Sequence, residues 1–215
     1  MPGSSPRRAP TSLVAILKKQ LPGAGVTEVP ADRMVYGPED PAPDFYLVVE
    51  GLVVVSRVAT DGNETALDVR AAGETFGDAA LAGLPCRGES ARALLRAKVR
   101  RWSAADITAL IAQDGEVALA AARILVRRAA EWRERIATMG RETVSRRIGR
   151  MLLYMSGKTG AHLPPPIIPA LASLANAPNG ILSHYLDTFT RQGLVTATPS
   201  GVVVQPALAD WLRSS

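Results

Sequence analysis

Cysteine and histidine are scarce: the 215-residue chain has one of the first and two of the second. Cys86 has no partner for an internal disulfide, and a cysteine-held iron–sulfur cluster is excluded. No Ser–His–Asp, paired-carboxylate or metal-ligand spacing stands out, so an enzyme is not expected. No run of about 18 apolar residues occurs, which argues against a membrane span. The opening MPGSSPRRAPTS lacks the apolar centre of a secretory signal. Residues 1–11 are expected to be a flexible tail, and the chain to be cytoplasmic. Charge is scarce at the C-terminal end, where residues 151–215 carry only Lys158, Arg191, Arg213, Asp187 and Asp210. Residues 121–150 instead carry nine arginines and three acids. The net charge of +5 is compatible with a nucleic-acid partner, but the positive charge sits in mid-chain.

Residues 11–21, TSLVAILKKQL, have the spacing of a short amphipathic helix. From about 26 to 102 the signals are for strands. FYLVVEGLVVVSRV (45–58) is β-branched and aromatic and is broken by Glu50-Gly51. ATDGNETALDVR (59–70) carries Asp61-Gly62, a hairpin signal. AAGETFGDAAL (71–81) predicts a tight turn leading into a short helix.

The period then changes. Ala118, Ala122, Leu125, Ala129, Trp132, Ile136 and Met139 follow a 4-3 spacing, a heptad seam. Such a seam packs against the chain's own β-domain or against a second copy in a parallel homodimer, and the narrow stripe favours the homodimer. Gly140 is expected to interrupt the helix. A helical pattern resumes at 144–156, SGKTGAHLPPP (156–166) reads as a loop, and IIPALASLA (167–175) and GILSHYLDTFTRQ (180–192) read as two helices. GLVTATPSGVVVQP (193–206) predicts two strands, and ALADWL a closing helix. Helix, turn, helix and hairpin is the order of a winged helix-turn-helix. SGKTG is no phosphate loop, since Leu152 stands where an earlier glycine is required.

Several stretches, in this order, resemble the CRP/FNR regulators: PEDPAPDFYLVVEGLV (38–53), GETFGDAAL (73–81), RRIGRMLLYMSGKTG (146–160) and RQGLV (191–195). The resemblance covers nearly the whole chain. It implies an α+β protein with a β jelly roll over 12–112, a dimerisation helix and hinge over 113–140, and a winged helix-turn-helix over 141–215. RETVSR (141–146) looks like a DNA-reading helix of this family but falls in the hinge, where Thr143 or Ser145 can cap the next helix.

In cyclic-nucleotide-binding members, the resemblance implies a cradle matching Gly77, Asp78 and Arg87 here. Ser90 stands in for a phosphate-binding hydroxyl, and Trp132 lies near the base. Asp78 is shorter than the family's Glu, and Gly88 replaces a hydroxyl residue. The site takes a cyclic nucleotide, another small effector, or nothing, in which case Gly77 is only a turn and Arg87 a solvated surface charge. A haem is not expected, because His162 and His184 both lie outside the β-domain. Cys86 reads as a small apolar filler or, beside Arg87, as a redox-sensitive thiol.

The family's Arg-Glu pair and second Arg read base edges. The matching positions are Asn179, Gly180 and His184, with Ser183, Tyr185 and Arg191 as phosphate partners. With so little charge, the head reads an unusual site, borrows phosphate contacts from Arg141, Arg146, Arg147 and Arg150, or has become a protein-interaction surface. The expectation is a homodimeric, DNA-binding transcription regulator. The seam Leu125, Ala129, Trp132, Ile136 and Met139 is its interface, and double-stranded DNA, RNA polymerase and a small effector are its implied partners. The competing class is an adaptor dimer that does not bind DNA.

Overall fold

The computed structural model describes residues 12–60, 62, 64–178 and 180–214. The expected tail and Asp61 of the hairpin turn lie outside them.

The N-terminal part comprises α1 (Leu13–Gln20), β1 (Val26–Val29), β2 (Met34–Tyr36), β3 (Asp44–Glu50), β4 (Leu52–Val58), β5 (Glu64–Ala71), β6 (Thr75–Phe76), a 3-10 turn over Asp78–Ala80, β7 (Ser90–Ala93) and β8 (Ala97–Ser103). The strands form two four-stranded sheets, ordered β1-β8-β3-β6 and β2-β7-β4-β5. Glu50-Gly51 carries the chain from one sheet to the other. Gly51 has φ +85°, and a Cβ there would stand 2.2 Å from the Arg96 carbonyl oxygen, so only glycine fits.

The apolar runs in β3 and β4 lack alternation because both faces are buried. Tyr46, Val48, Val53 and Val55 fill the space between the sheets. Phe45 and Leu47 face α1 and the helices after β8. Leu52 and Val54 face the C-terminal domain and share one core with Leu152, Leu163 and Leu171. Each such fully buried side chain contributes about 1.5–3 kcal/mol.

Two helices follow. α2 (Ala104–Gln113) escapes sequence reading because it directly continues β8 and buries only Ile107 fully. α3 (Gly115–Arg141) starts where Asp114 accepts a hydrogen bond from the Glu116 N–H at 2.9 Å. It passes unbroken through Gly140, which corrects the expected interruption; one helical glycine costs only about 1 kcal/mol. The break falls at Glu142, which is extended, and Thr143, whose hydroxyl accepts the Arg146 N–H at 3.4 Å. RETVSR thus spans a helix end, a break and a helix start.

The C-terminal domain comprises α4 (Val144–Thr159), β9 (His162–Leu163), α5 (Ile167–Leu174), α6 (Ile181–Arg191), β10 (Val195–Thr198), β11 (Gly201–Val204) and α7 (Ala207–Arg213). α4 runs through Ser156–Thr159, which sequence reading placed in a loop, and ends at Gly160 with φ 88°. The three strands form one sheet, β10-β11-β9. Gly149 lets α7 approach α4, since a Cβ would sit 3.2 Å from the Trp211 ring.

Candidate effector cradle and DNA-reading face

The cradle is built by β2, β3, β6 and the segment before β7. Tyr36, Tyr46 and Phe76 cluster there, with Tyr46 and Phe76 stacked at 5.1 Å between centroids. Arg87 lies against this cluster, 4.4 Å from the Tyr36 centroid and 5.3 Å from that of Tyr46. It is only 4 % exposed, so it is not the solvated charge that one reading of the sequence allowed. Its Nη1 donates to the Asp44 carbonyl at 2.7 Å and to that of Gly77 at 3.5 Å. The Arg87 Nε is buried without a partner. Gly77 has φ +84° and opens the 3-10 turn.

Asp78 is not free. Arg128 of α3 donates to both of its carboxylate oxygens, to the Thr75 carbonyl and to the Thr75 hydroxyl, the last at 2.6 Å. Sequence reading missed Arg128, because its role depends on how α3 docks. Glu89 was also missed. Its carboxylate accepts from the Tyr36 hydroxyl at 3.2 Å. Burial pushes its pKa up, against the lowering effect of that hydrogen bond. Burial likewise raises the Tyr36 phenol, with the Glu89 charge adding to it. Ser90 is buried in β7. The structure brings Gly77 and Arg87 into contact and holds Asp78 next in chain to Gly77. Trp132 lies elsewhere, lining an apolar groove of about 270 Å³ with Leu67, Ile136, Met139 and Leu174.

The seam of α3 is only partly covered by its own β-domain: Trp132 is 46 % and Ile136 66 % exposed, and Leu125 and Met139 are exposed too. Ala129 is exposed beside them.

In the C-terminal domain, α6 directly precedes the β10–β11 hairpin. Leu182 and Phe189 turn inward. Ser183, His184, Asp187, Thr190 and Arg191 turn outward, while Tyr185 is half-buried. His184 meets the Tyr185 ring edge-on at 5.6 Å, and Arg191 donates to the Thr188 hydroxyl at 3.2 Å. Gly180 caps α6 with φ 83° and no side-chain bond. Asn179 lies outside the described residues.

Three of the four hinge arginines are engaged internally. Arg146 donates to the Leu212 carbonyl at 2.7 Å. Arg147 donates to the carbonyls of Glu142, Ala175 and Asn176 at 2.8, 2.8 and 3.0 Å. Arg150 pairs with the Glu142 carboxylate, its Nε at 2.8 and 2.9 Å. That pairing holds the Glu142 carboxyl below its ordinary range. These three do not stand free for phosphates, whereas Arg141 is exposed.

A two-sheet β-roll, a long helix with an open seam and a winged helix-turn-helix define the CRP/FNR class of architecture. Residues 26–114 match the cyclic nucleotide-binding domain family. Over 149 residues the chain is 24 % identical to a CRP-like cAMP-activated global transcriptional regulator of Mycobacterium tuberculosis. The match covers 69 % of this chain and 65 % of that relative, just under two thirds of its length. FixK2 from Bradyrhizobium japonicum superposes with a TM-score of 0.74 at 21 % identity, over 87 % of this chain and 96 % of that one. The c-di-GMP responsive global regulator CLP of Xanthomonas campestris gives 0.71 at 21 %, over 89 % and 98 %. By fold the chain is similar to regulators of the CRP/FNR type, and the cyclic nucleotide-binding match is confined to residues 26–114. The Mycobacterium relative is named as a transcriptional regulator and CLP as a global regulator linked to gene expression. Among the described residues, no helix is long and apolar enough to cross a membrane.

Proposed function

We propose that this chain is a homodimeric, DNA-binding transcription regulator. The observation that carries the reading is the placement of α6 directly before its wing, with Ser183, His184 and Arg191 facing outward. In a helix-turn-helix this is the helix that enters the major groove. The exposed seam Leu125, Ala129, Trp132, Ile136 and Met139 supports pairing with a second copy. Charge near α6 is sparse, so affinity rests more on base and shape contacts than on phosphate neutralisation.

A cyclic nucleotide fits the β-domain poorly. Arg87 has the charge to meet a phosphate, but it is turned onto the Asp44 carbonyl and the Tyr36 ring. Asp78 is occupied by Arg128. Glu89 adds a carboxylate to the same cradle. Here the link from cradle to α3 is made by the chain itself. Calorimetry with cAMP and cGMP tests this, and micromolar binding by the wild type would overturn it.

For DNA, selection from random duplexes at low and physiological salt is the direct test. Enrichment of one two-fold-symmetric sequence is expected. Absence of any enriched sequence at either salt would favour the adaptor-dimer alternative.

A further inference from the structure

We propose that Asp68 is a positioning residue for DNA reading, the point at which the β-domain fixes the angle of the C-terminal domain. This rests on the regulator reading above. Asp68 lies on β5 and is 2 % exposed. Its carboxylate meets Arg70 at 2.8 Å, Lys158 at 3.7 Å and Arg135 at 4.0 Å. It also accepts from the Tyr154 hydroxyl at 3.2 Å and from the Val69 N–H at 2.8 Å. Arg135 belongs to α3, before the hinge, whereas Tyr154 and Lys158 belong to α4, after it. One strand therefore holds both arms of the hinge.

The neighbouring contacts have the same sense. Lys158 donates to the Val69 carbonyl at 2.7 Å and to Glu74 at 2.9 Å. Arg135 donates to the Leu67 carbonyl at 2.6 Å. The Ala66 N–H donates to the Ser173 hydroxyl of α5 at 2.7 Å. Around them, Leu52, Val54, Ala66 and Ala71 share a core with the C-terminal domain. The C-terminal domain covers this apolar part of the sheet's outer face, with the Asp68 cluster beside it. A buried carboxylate stripped of its cations is strongly unfavourable, so the contact holds or releases as a unit. While it holds, the α3–α4 angle is set by β5, and so is the separation of the two α6 helices in a dimer. Half-site spacing is a direct readout of that separation.

The full-length protein is compared as wild type, Asp68→Asn and Lys158→Gln. Lys158→Gln keeps the acid and serves if Asp68→Asn does not fold. Hydrogen exchange should accelerate roughly tenfold or more in β5 and α5 of the variants, with β3 unchanged. In duplex selection with variable spacing, the wild type should enrich one spacing. The variants should keep the same half-site sequence but accept neighbouring spacings. A merely destabilised protein would lose binding without broadening. Unchanged exchange in β5 and α5, or a single spacing retained by the folded variants, overturns the proposal. If the wild type enriches no duplex, the regulator reading fails and DNA positioning with it. The exchange result then still decides whether Asp68 clamps the two domains.

Discussion

Arg128, midway along α3, grips the carboxylate of Asp78 and the hydroxyl of Thr75, tying the cradle turn to the long helix within one chain. Arg135 stands seven residues further on the same helix face and ties it to β5. The two arginines moor one side of α3 to the β-domain and leave the seam open on another.

Arg128→Ala should lower stability by about 2 kcal/mol, the scale of losing hydrogen bonds to a charged, half-buried group. Asp78→Asn should lower it less, because that carboxylate is 39 % exposed and the Thr75 contacts survive. Urea unfolding of both variants checks the order. An Arg128→Ala midpoint equal to wild type would mean that the link is not formed in solution.

Trp132→Glu and Ile136→Glu should convert a dimer to a monomer in sedimentation velocity, since each puts a charge into the apolar seam. Leu119 is also exposed on α3 but lies outside the seam spacing, and Leu119→Glu should leave the dimer intact. A dimer that persists in both seam variants would place the interface elsewhere.

Glycines 77 and 88 make a matched pair. Both have positive φ, +84° and +67°. At Gly77 a Cβ would also meet Arg87 Nη1 at 3.0 Å and the Tyr46 ring at 3.1 Å, whereas at Gly88 nothing lies within 4 Å. Gly88→Ala should cost about 1–2 kcal/mol from backbone strain alone. Gly77→Ala should cost clearly more, because the cradle must also shift. Equal thermal shifts would show that Arg87 is not packed on the turn.

The pH response of the cradle follows from Glu89. Its pKa is raised in the folded protein by burial, so the folded state holds that proton more tightly than the unfolded chain. The stabilising contribution is complete below the unfolded value and fades as pH rises through the folded one. Glu89→Gln keeps an uncharged, protonated-like group at all pH. It should therefore be more stable than wild type at pH 8, with the difference shrinking towards pH 4, in parallel thermal melts. A difference that grew on acidification would reverse the sign.

The fold was legible because its signals are local and ordered: the Glu50-Gly51 break, the Phe-Gly-Asp turn, the seam, and two helices before a hairpin. Short elements without a period were not, as with β9, and neither was α2, which grows directly out of β8. The functional residues divide in the same way. Gly77 and Thr143 owe their roles to neighbours in sequence and could be read there. Arg128, Glu89 and Asp68 owe theirs to partners 50, 53 and 86 residues away, and only docking of the elements reveals them. The hinge arginines, phosphate contacts in one of three alternatives, divide for the same reason: Arg141 is exposed, while Arg146, Arg147 and Arg150 are engaged internally. Charge count pointed to phosphates, while geometry assigns Arg147 and Arg150 to carbonyls and Glu142.

That assignment separates two arginines that a charge-based reading would treat alike. Arg191 is exposed on the outward face of α6. If it meets a phosphate, Arg191→Ala should weaken all duplexes about equally and reduce the slope of log affinity against log salt by about 1. Arg147 clamps the end of α5 and the following turn, through the carbonyls of Ala175 and Asn176, to Glu142 of the hinge. Arg147→Ala should leave the slope unchanged while lowering affinity for the selected sequence more than for random DNA, because the turn that presents α6 loses its support. Fluorescence anisotropy across a salt series gives both numbers. A slope change of the same size in both variants would mean that Arg147 leaves its carbonyls for the backbone of the DNA.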